Sequence, residues 1–343
     1  MKLLKYIHVI FILLLFSINS WSQNPIFSQF YSAPLLLAPS FAGGTDGTRV
    51  SLNFRDQWPN LPGTFITYAF SIDHYFPEIR SGMGISFLKD VAGSGKLGYS
   101  SVAFHYSYNI KIFKNWRLRP GLALNRGKRS LDFHKLIFPD QTSINGVSTG
   151  SSIQSYTFPD LQDVRFLDAG ASLLVYSRNI WFGTNFDHLN TPNESLMGTV
   201  VEMNILFSVF GGIKYVIKQK DKKAPIESLS FAFNFQMQDQ AKQLDFGSFW
   251  RSGAYMVGLW YRGVPFLKNE NSEYMSHDAL IIFLGYRYYN FRIGYSYDFT
   301  ISMLKNTTGG AHEISLIWEF NKTGNVYNKK WKNSVVNTPE FSF

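Results

Sequence analysis

Along most of the chain, apolar and polar residues alternate one for one. Val102, Phe104, Tyr106, Tyr108, Ile110 and Ile112 alternate with Ala103, His105, Ser107, Asn109 and Lys111. Phe291, Ile293, Tyr295, Tyr297 and Phe299 alternate with Arg292, Gly294, Ser296, Asp298 and Thr300, and Ile314, Leu316, Trp318 and Phe320 with Glu313, Ser315, Ile317 and Glu319. A period of two marks a strand with unlike faces, here one bulky and apolar and the other small, polar or charged. The helical period is hard to find. A soluble sandwich also alternates, but two details favour an all-β, transmembrane, antiparallel up-and-down barrel. The apolar face is unusually aromatic, and Trp58, Tyr75, Tyr99, Trp116, Trp250, Tyr261, Tyr288 and Tyr289 fall near segment ends, where interfacial girdles sit. The other face carries Arg, Asp, Asn and Gly, which suit a wet or plugged lumen better than a sandwich core.

The alternation predicts 14 strands, near 48–57, 64–75, 81–91, 97–112, 115–127, 163–177, 179–189, 200–219, 226–239, 242–250, 254–263, 277–289, 290–299 and 311–320. Most are long enough to cross a bilayer at a tilt, which takes about 9–11 residues. An even count is the rule for single-chain bacterial barrels, as are short periplasmic turns and longer external loops. Here every second connection is brief, and among the others 128–162 is by far the longest, with 240–241 the weak member of the long set. The division that follows is a leader over 1–22, a periplasmic or plug-like segment over 23–46, the barrel over 47–320 and a short periplasmic tail over 321–343.

The leader reads as a secretory signal peptide. Lys2 and Lys5 precede a nearly unbroken apolar run from Ile7 to Phe16, and Ser20 and Ser22 flank Trp21 ahead of a cut before Gln23. The run is too short to span a bilayer, and no later stretch of the chain is long and apolar enough to do so as a helix. Composition agrees with export to an outer membrane. Aromatic residues make up 17% of the 343 residues and charged residues only 17%, which excludes a disordered chain. With no cysteine there is no disulfide framework and no cysteine-based metal site. The formal charge is +9, falling to +7 once the two leader lysines are removed.

No catalytic or metal chemistry stands out. The seven histidines are scattered, with none paired at zinc-ligand spacing. Gly93-Ser94-Gly95 lies between strands and opens no helix, so it is not a phosphate cradle. His105 or His188 beside a serine is the one foothold for a hydrolase, and a luminal histidine in a hydrogen-bond network is the plainer reading. No cofactor, no nucleic acid and no enzymatic activity is expected. Lysines gather at two places on the periplasmic side: Lys214, Lys218, Lys220, Lys222 and Lys223 at one turn, and Lys322, Lys329, Lys330 and Lys332 in the tail. They form a basic rim, either a solvated edge or a dock for an acidic periplasmic partner.

Residues 28–75 open Ser28-Gln29-Phe30-Tyr31, pass Pro39 and Gly43, and reach Arg55-Asp56-Gln57-Trp58-Pro59, then Tyr68 and Ser71. Gly84, Asp90, Gly93 and Gly95 follow, then Tyr106, and Asp168 and Gly170 after the long loop. This pattern resembles the PorP/SprF family of type IX secretion proteins from Bacteroidetes, most densely up to residue 128. Where the family often has Asn-Pro-Ala, this chain has Ala38-Pro39-Ser40. The resemblance implies a non-enzymatic outer-membrane barrel in contact with lipid. Its partner would be a secreted type IX substrate, such as a gliding adhesin, held by its C-terminal region for export or surface anchoring. The alternatives are a structural part of the apparatus facing its periplasmic ring, or a passive porin. Arg55, Gln57, Trp58, Asp90 and Asp168 are the candidate partner-binding or luminal-network residues, with Arg55 and Asp90 a possible ion pair.

Overall fold

The computed structural model describes residues 25–45, 47–132, 136, 163–196, 200–220, 224–268, 275–301 and 307–321. The expected leader, most of the long loop, the tail beyond Asn321, and Lys222, Lys223, Lys329, Lys330 and Lys332 of the basic rim lie outside the described residues. Fifteen strands are present among the described residues: β1 (Gly47–Gln57), β2 (Thr64–Phe76), β3 (Ser81–Gly93), β4 (Leu97–Tyr108), β5 (Ile110–Lys111), β6 (Arg117–Ser130), β7 (Val164–Tyr176), β8 (Ile180–Asp187), β9 (Leu206–Lys220), β10 (Ala224–Gln238), β11 (Ala241–Ser252), β12 (Tyr255–Lys268), β13 (Met275–Tyr288), β14 (Phe291–Thr300) and β15 (Ala311–Asn321). Each pairs antiparallel with its neighbours, and β15 returns to β1 in an unbroken register from Gly47↔Asn321 to Gln57↔Ala311. β4 pairs directly with β6, so β5 is an appendage and fourteen strands close the wall. Closure leaves no unpaired edge, which a sheet in lipid cannot tolerate.

The expected strands differ from the observed ones mainly where a pairing partner runs out. The strand expected over 97–112 stops at Tyr108, because β3 begins at Ser81 directly opposite. Beyond that point only β6 remains to pair, giving the two-residue β5. The strand expected from residue 200 starts at Leu206, which lies opposite both Asp187 and Gln238, the last residues of β8 and β10. The brief connection at 240–241 is a tight turn of Asp239 and Gln240, closed by the pair Gln238↔Ala241, with Asp239 at φ 52°. Positive φ at this position suits the turns that match strand twist.

Connections alternate in length around the ring. One end carries the brief turns, including 77–80, 177–179, 253–254 and 289–290; the other carries the longer ones, including 131–163, 188–205 and 301–310. In bacterial outer-membrane barrels short turns of this kind are periplasmic. β1 starts there and β15 ends there. Outward residues form an exposed apolar wall, and Tyr215, Trp250, Tyr255, Tyr288 and Trp318 gather near the short-turn end. Two of the expected girdle residues point the other way. Tyr75 and Tyr99 are only 6% and 5% exposed and face the lumen, where both lie against arginines. Their position along the strand fits a girdle, but their parity does not.

The lumen is occupied by residues 25–45. This segment makes three short helical turns, Phe30–Ser32, Pro34–Leu37 and Pro39–Phe41, two of which open on proline with its preset φ. It hydrogen-bonds to strands from all around the ring: β15, β14 and β12 near its start, β7, β4 and β2 near its end. Only a position inside the barrel allows this. It enters on the long-loop half and descends to join β1 at the short-turn end.

Its apolar side chains account for a departure from the expected polar inner face. On β7 to β13 the inward positions include Leu174, Tyr176, Trp181, Phe210, Phe249, Trp260 and Phe283, which form one core with Phe30, Tyr31, Leu37 and Phe41. Tyr31 stacks on Trp260 at 5.5 Å and meets Phe249 and Phe283 edge-on at 4.6 and 5.6 Å. Several of these rings lie over a glycine of the adjacent strand. Gly183 is paired with Phe210, Gly212 with Trp181 and Gly247 with Trp260, and a Cβ on each would fall within 2.5 Å of the ring. Aromatic cover of glycine packs a ring flat against the wall.

Candidate functional site

On the long-loop half of the lumen, Ser28 and Gln29 are held by a buried ionic cluster. Both oxygens of Glu313 accept backbone N–H bonds, from Ser28 at 2.8 Å and from Gln29 at 2.9 Å. Arg55 lies directly opposite Glu313 in the β1–β15 register and donates to it at 3.1 Å and to Asp298 at 2.9 Å. Arg262 donates to Asp245 at 2.7 Å, to Asp298 at 3.3 Å and to the Ser28 hydroxyl at 2.9 Å. That hydroxyl donates to Asp298 at 2.5 Å and accepts from Arg55. Two guanidinium groups thus face three carboxylates, and backbone N–H groups add the donors that buried Glu313 requires, while one oxygen of Asp298 keeps no partner. The Gln29 side chain reads β14 and β15 in the same way, donating to Ser296 at 3.0 Å and accepting from Ser315 at 2.6 Å.

A second clamp holds the segment near the short-turn end. Arg49 and Asp73 are bidentate at 2.9 and 3.1 Å, the Gly43 N–H donates to Asp73 at 2.8 Å, and Arg49 donates to the Phe41 carbonyl at 3.2 Å. Arg119, sandwiched between the rings of Tyr75 and Tyr176 at 5.6 Å each, donates to the Gly43 carbonyl at 3.3 Å. The segment's backbone lies directly on the wall here. A Cβ on Gly82 would sit 2.0 Å from the Ala42 carbonyl oxygen, and one on Gly121 would sit 2.2 Å from the Ser40 nitrogen.

Between these clamps and the opposite wall is a recess of about 130 Å³ in the long-loop half, lined by Phe27 and Leu36 from the luminal segment and by residues of β3, β4 and β6 to β8. Asp168 and His188 are paired there at 2.8 Å, and Asp187 accepts from Asn185 at 2.7 Å. His105 bonds the Ser86 hydroxyl at 2.8 Å through one ring nitrogen. Its other nitrogen, the second oxygen of Asp168 and the amide oxygen of Asn125 are buried without a partner. Among the described residues no group therefore bonds the far side of the imidazole in the Ser86–His105 pair. The arrangement is suited to binding: an apolar floor with a few unsatisfied polar groups converging on it.

The structure scatters the candidates drawn from the sequence. Arg55 is in the ionic cluster, and Gln57 accepts from it at 3.5 Å. The expected Arg55–Asp90 pair is absent. The two share a cross-strand row, but Thr67 stands between them, and Asp90 accepts from its hydroxyl at 2.6 Å while Arg55 turns to Glu313. Trp58 leaves β1 at φ 59°, donates its N–H to the Gly310 carbonyl at 2.8 Å and packs edge-on against Phe65 at the rim. Asp168 lines the recess. Lys220 ends β9 at the short-turn end. Asp245, Arg262, Asp298 and Glu313 were missed as a cluster. The available signal was parity, since charges at inward positions of a membrane barrel need partners. Among the described residues no group of His, Asp or Glu is arranged to hold a metal ion.

Outer-membrane barrels superpose on the chain at low sequence identity. Omp33 of Acinetobacter baumannii is 7% identical, with 80% of this chain and 99% of that one covered at a TM-score of 0.44. The toluene transporter TodX of P. putida is 10% identical, covering 84% and 94% at 0.46, and the monoaromatic hydrocarbon channel CymD is 10% identical, covering 89% and 96% at 0.45. No curated protein matches the chain in sequence. The family profile described as type IX secretion system membrane protein PorP/SprF matches residues 19–318, most of the chain. The chain is an outer-membrane barrel and belongs to the PorP/SprF family of type IX secretion system membrane proteins.

Proposed function

We propose that this barrel holds the C-terminal region of a secreted type IX substrate, such as a surface adhesin of the gliding type, and supports its export or its retention at the cell surface. The observation that carries the reading is the filled lumen. Residues 25–45 are fastened at both ends and packed into an aromatic core, so the barrel acts as a rigid body for binding. A passive porin needs the opposite, a wide aqueous path. The recess on the long-loop half offers an incoming chain segment an apolar floor and unpaired acceptors at Asp168 and Asn125. In this reading residues 1–22 are a leader removed before Gln23, 23–46 the luminal segment, 47–320 the barrel and 321–343 a basic periplasmic tail open to other components of the apparatus.

The test is affinity purification of the full-length protein from native outer membranes, with identification of what is retained. A large secreted protein that remains bound, and is lost when its C-terminal region is removed, is expected. Free barrel that carries solute flux in planar bilayers would overturn the reading in favour of a porin.

A further inference from the structure

Four basic side chains stand on the outer surface of the barrel at the long-loop end, all on one wall. Lys89 of β3, Arg126 and Lys128 of β6, and Arg165 of β7 lie on the outward parity of their strands; the first, second and fourth are exposed and Lys128 is partly so. Lys89 is opposite Ser100, Ser100 opposite Lys128, and Lys128 opposite Arg165. Three of the basic groups therefore share one cross-strand row, which at the usual strand spacing runs about 14 Å along the rim. Arg126 sits one outward position deeper, opposite Val102 on one side and Leu167 on the other.

The row marks the place where this wall changes from apolar to polar. Below it, Ile85 and Phe87 on β3, Val102 and Phe104 on β4, Leu122 and Leu124 on β6, and Leu167 and Leu173 on β7 are exposed, with Leu124 at 67% and Leu167 at 71%. Lys128 already pairs with Asp163. Lys89, Arg126 and Arg165 pair with no acidic group among the described residues. A cation on the lipid face is costly at depth and tolerated near the interface, and Arg126 carries that cost among leucines without a counter-charge among the described residues. Elsewhere at this end Asp56 on β1 and Lys242 on β11 are isolated on their strands, and across the barrel Phe299 and Leu280 occupy the corresponding rim.

We infer that this wall is a binding site for an outer-leaflet lipid with a phosphorylated sugar headgroup. Lys89, Arg126 and Arg165 meet the phosphorylated headgroup along this row, with guanidinium groups supplying paired N–H donors, and the acyl chains lie on the leucine-rich surface beneath. The inference rests on the outer-membrane placement of the barrel and on the long-loop end facing outward; it does not depend on the secretion role.

The test is native mass spectrometry of the intact, folded barrel released from detergent, titrated with phosphorylated lipid A, with the same lipid after enzymatic dephosphorylation, and with inorganic phosphate. Retention of the phosphorylated lipid at least about tenfold above the dephosphorylated form is expected, with no displacement by millimolar phosphate. The triple variant Lys89→Gln/Arg126→Gln/Arg165→Gln should bind roughly 100-fold more weakly, from three lost surface charges. Lys242→Gln should bind as the unaltered protein does. Equal retention of both lipid forms by the unaltered barrel would overturn the proposal without reference to any variant. So would full binding by a triple variant that still shows the heat-resistant gel mobility of a closed barrel. Full displacement by inorganic phosphate would reduce the site to a simple anion site and also overturn it. A failure of partner capture from membranes with lipid binding intact would count against the secretion reading alone.

Discussion

The two walls of the outer lumen are built from similar residues and put to different uses. On the wall formed by β1, β11, β12, β14 and β15, the charges of Arg55, Arg262, Asp245, Asp298 and Glu313 are directed at one another and at Ser28. On the wall formed by β3, β4 and β6 to β8, Asp168, His105 and Asn125 each keep a polar atom unpaired beside an open recess. Buried polar atoms in folded proteins are nearly always satisfied. The first wall therefore reads as structure: its charges are bonded to one another and to Ser28, and only one oxygen of Asp298 is left without a partner. The second reads as a surface prepared for something, if only water.

Residues 25–45 are the element that both walls share, and removing them has the largest expected effect. A chain lacking residues 25–45 should form an open channel. In planar bilayers its single-channel conductance should be several times that of the intact protein, whose lumen is filled. Equal conductance would show that the luminal segment blocks nothing.

Next in size is Arg55→Met. It leaves Glu313 and Asp298 buried with one guanidinium between them, a loss of about 3–5 kcal/mol. The urea midpoint of the detergent-folded barrel should fall accordingly, and residues 25–45 should become accessible to protease. Ser28→Ala removes a hydroxyl that touches Asp298, Arg55 and Arg262 at once. Bonds to charged groups are worth about 1.5–3 kcal/mol, so a smaller shift in the same midpoint is expected. The smallest effect on stability belongs to the other wall. Asp168→Asn keeps an acceptor for His188 and should move the midpoint by no more than about 1 kcal/mol, yet weaken capture of a secreted partner. A barrel that unfolds with Asp168→Asn but tolerates Arg55→Met would reverse the assignment of the two walls.

The outer face of this barrel was legible in the sequence because lipid imposes a single requirement on it. Phe291 to Phe299 and Ile314 to Phe320 need only be apolar, and their alternation locates β14 and β15 to within a residue or two. The connection at 239–240 was brief for its end of the barrel and still respected the parity. The inner face answers to residues 25–45, which have no period of their own. Nothing local to Trp181 or Trp260 announces that these rings cover Gly212 and Gly247 instead of facing lipid. Arg55 was visible as a charge in need of a partner, but its partner Glu313 lies 258 positions away, and the nearer choice, Asp90, was taken by Thr67. Tyr75 and Tyr99 show the same limit. A ring near a strand end belongs to the girdle or to the lumen according to whether its position is odd or even, and composition does not register that difference.

The bond from Ser28 to Glu313 spans 285 positions of sequence, and its companion to Asp298 spans 270. Both acceptors belong to the last two strands of the wall. The luminal segment is therefore among the first parts of the chain to be synthesised and the last to find its seat, because the seat does not exist until β14 and β15 are in place. A chain truncated before residue 311 would lack Glu313 and the strand that seals β1, leaving the segment loose and the sheet open together. Seating of Ser28 and Gln29 therefore requires the last two strands, and with them the closed ring.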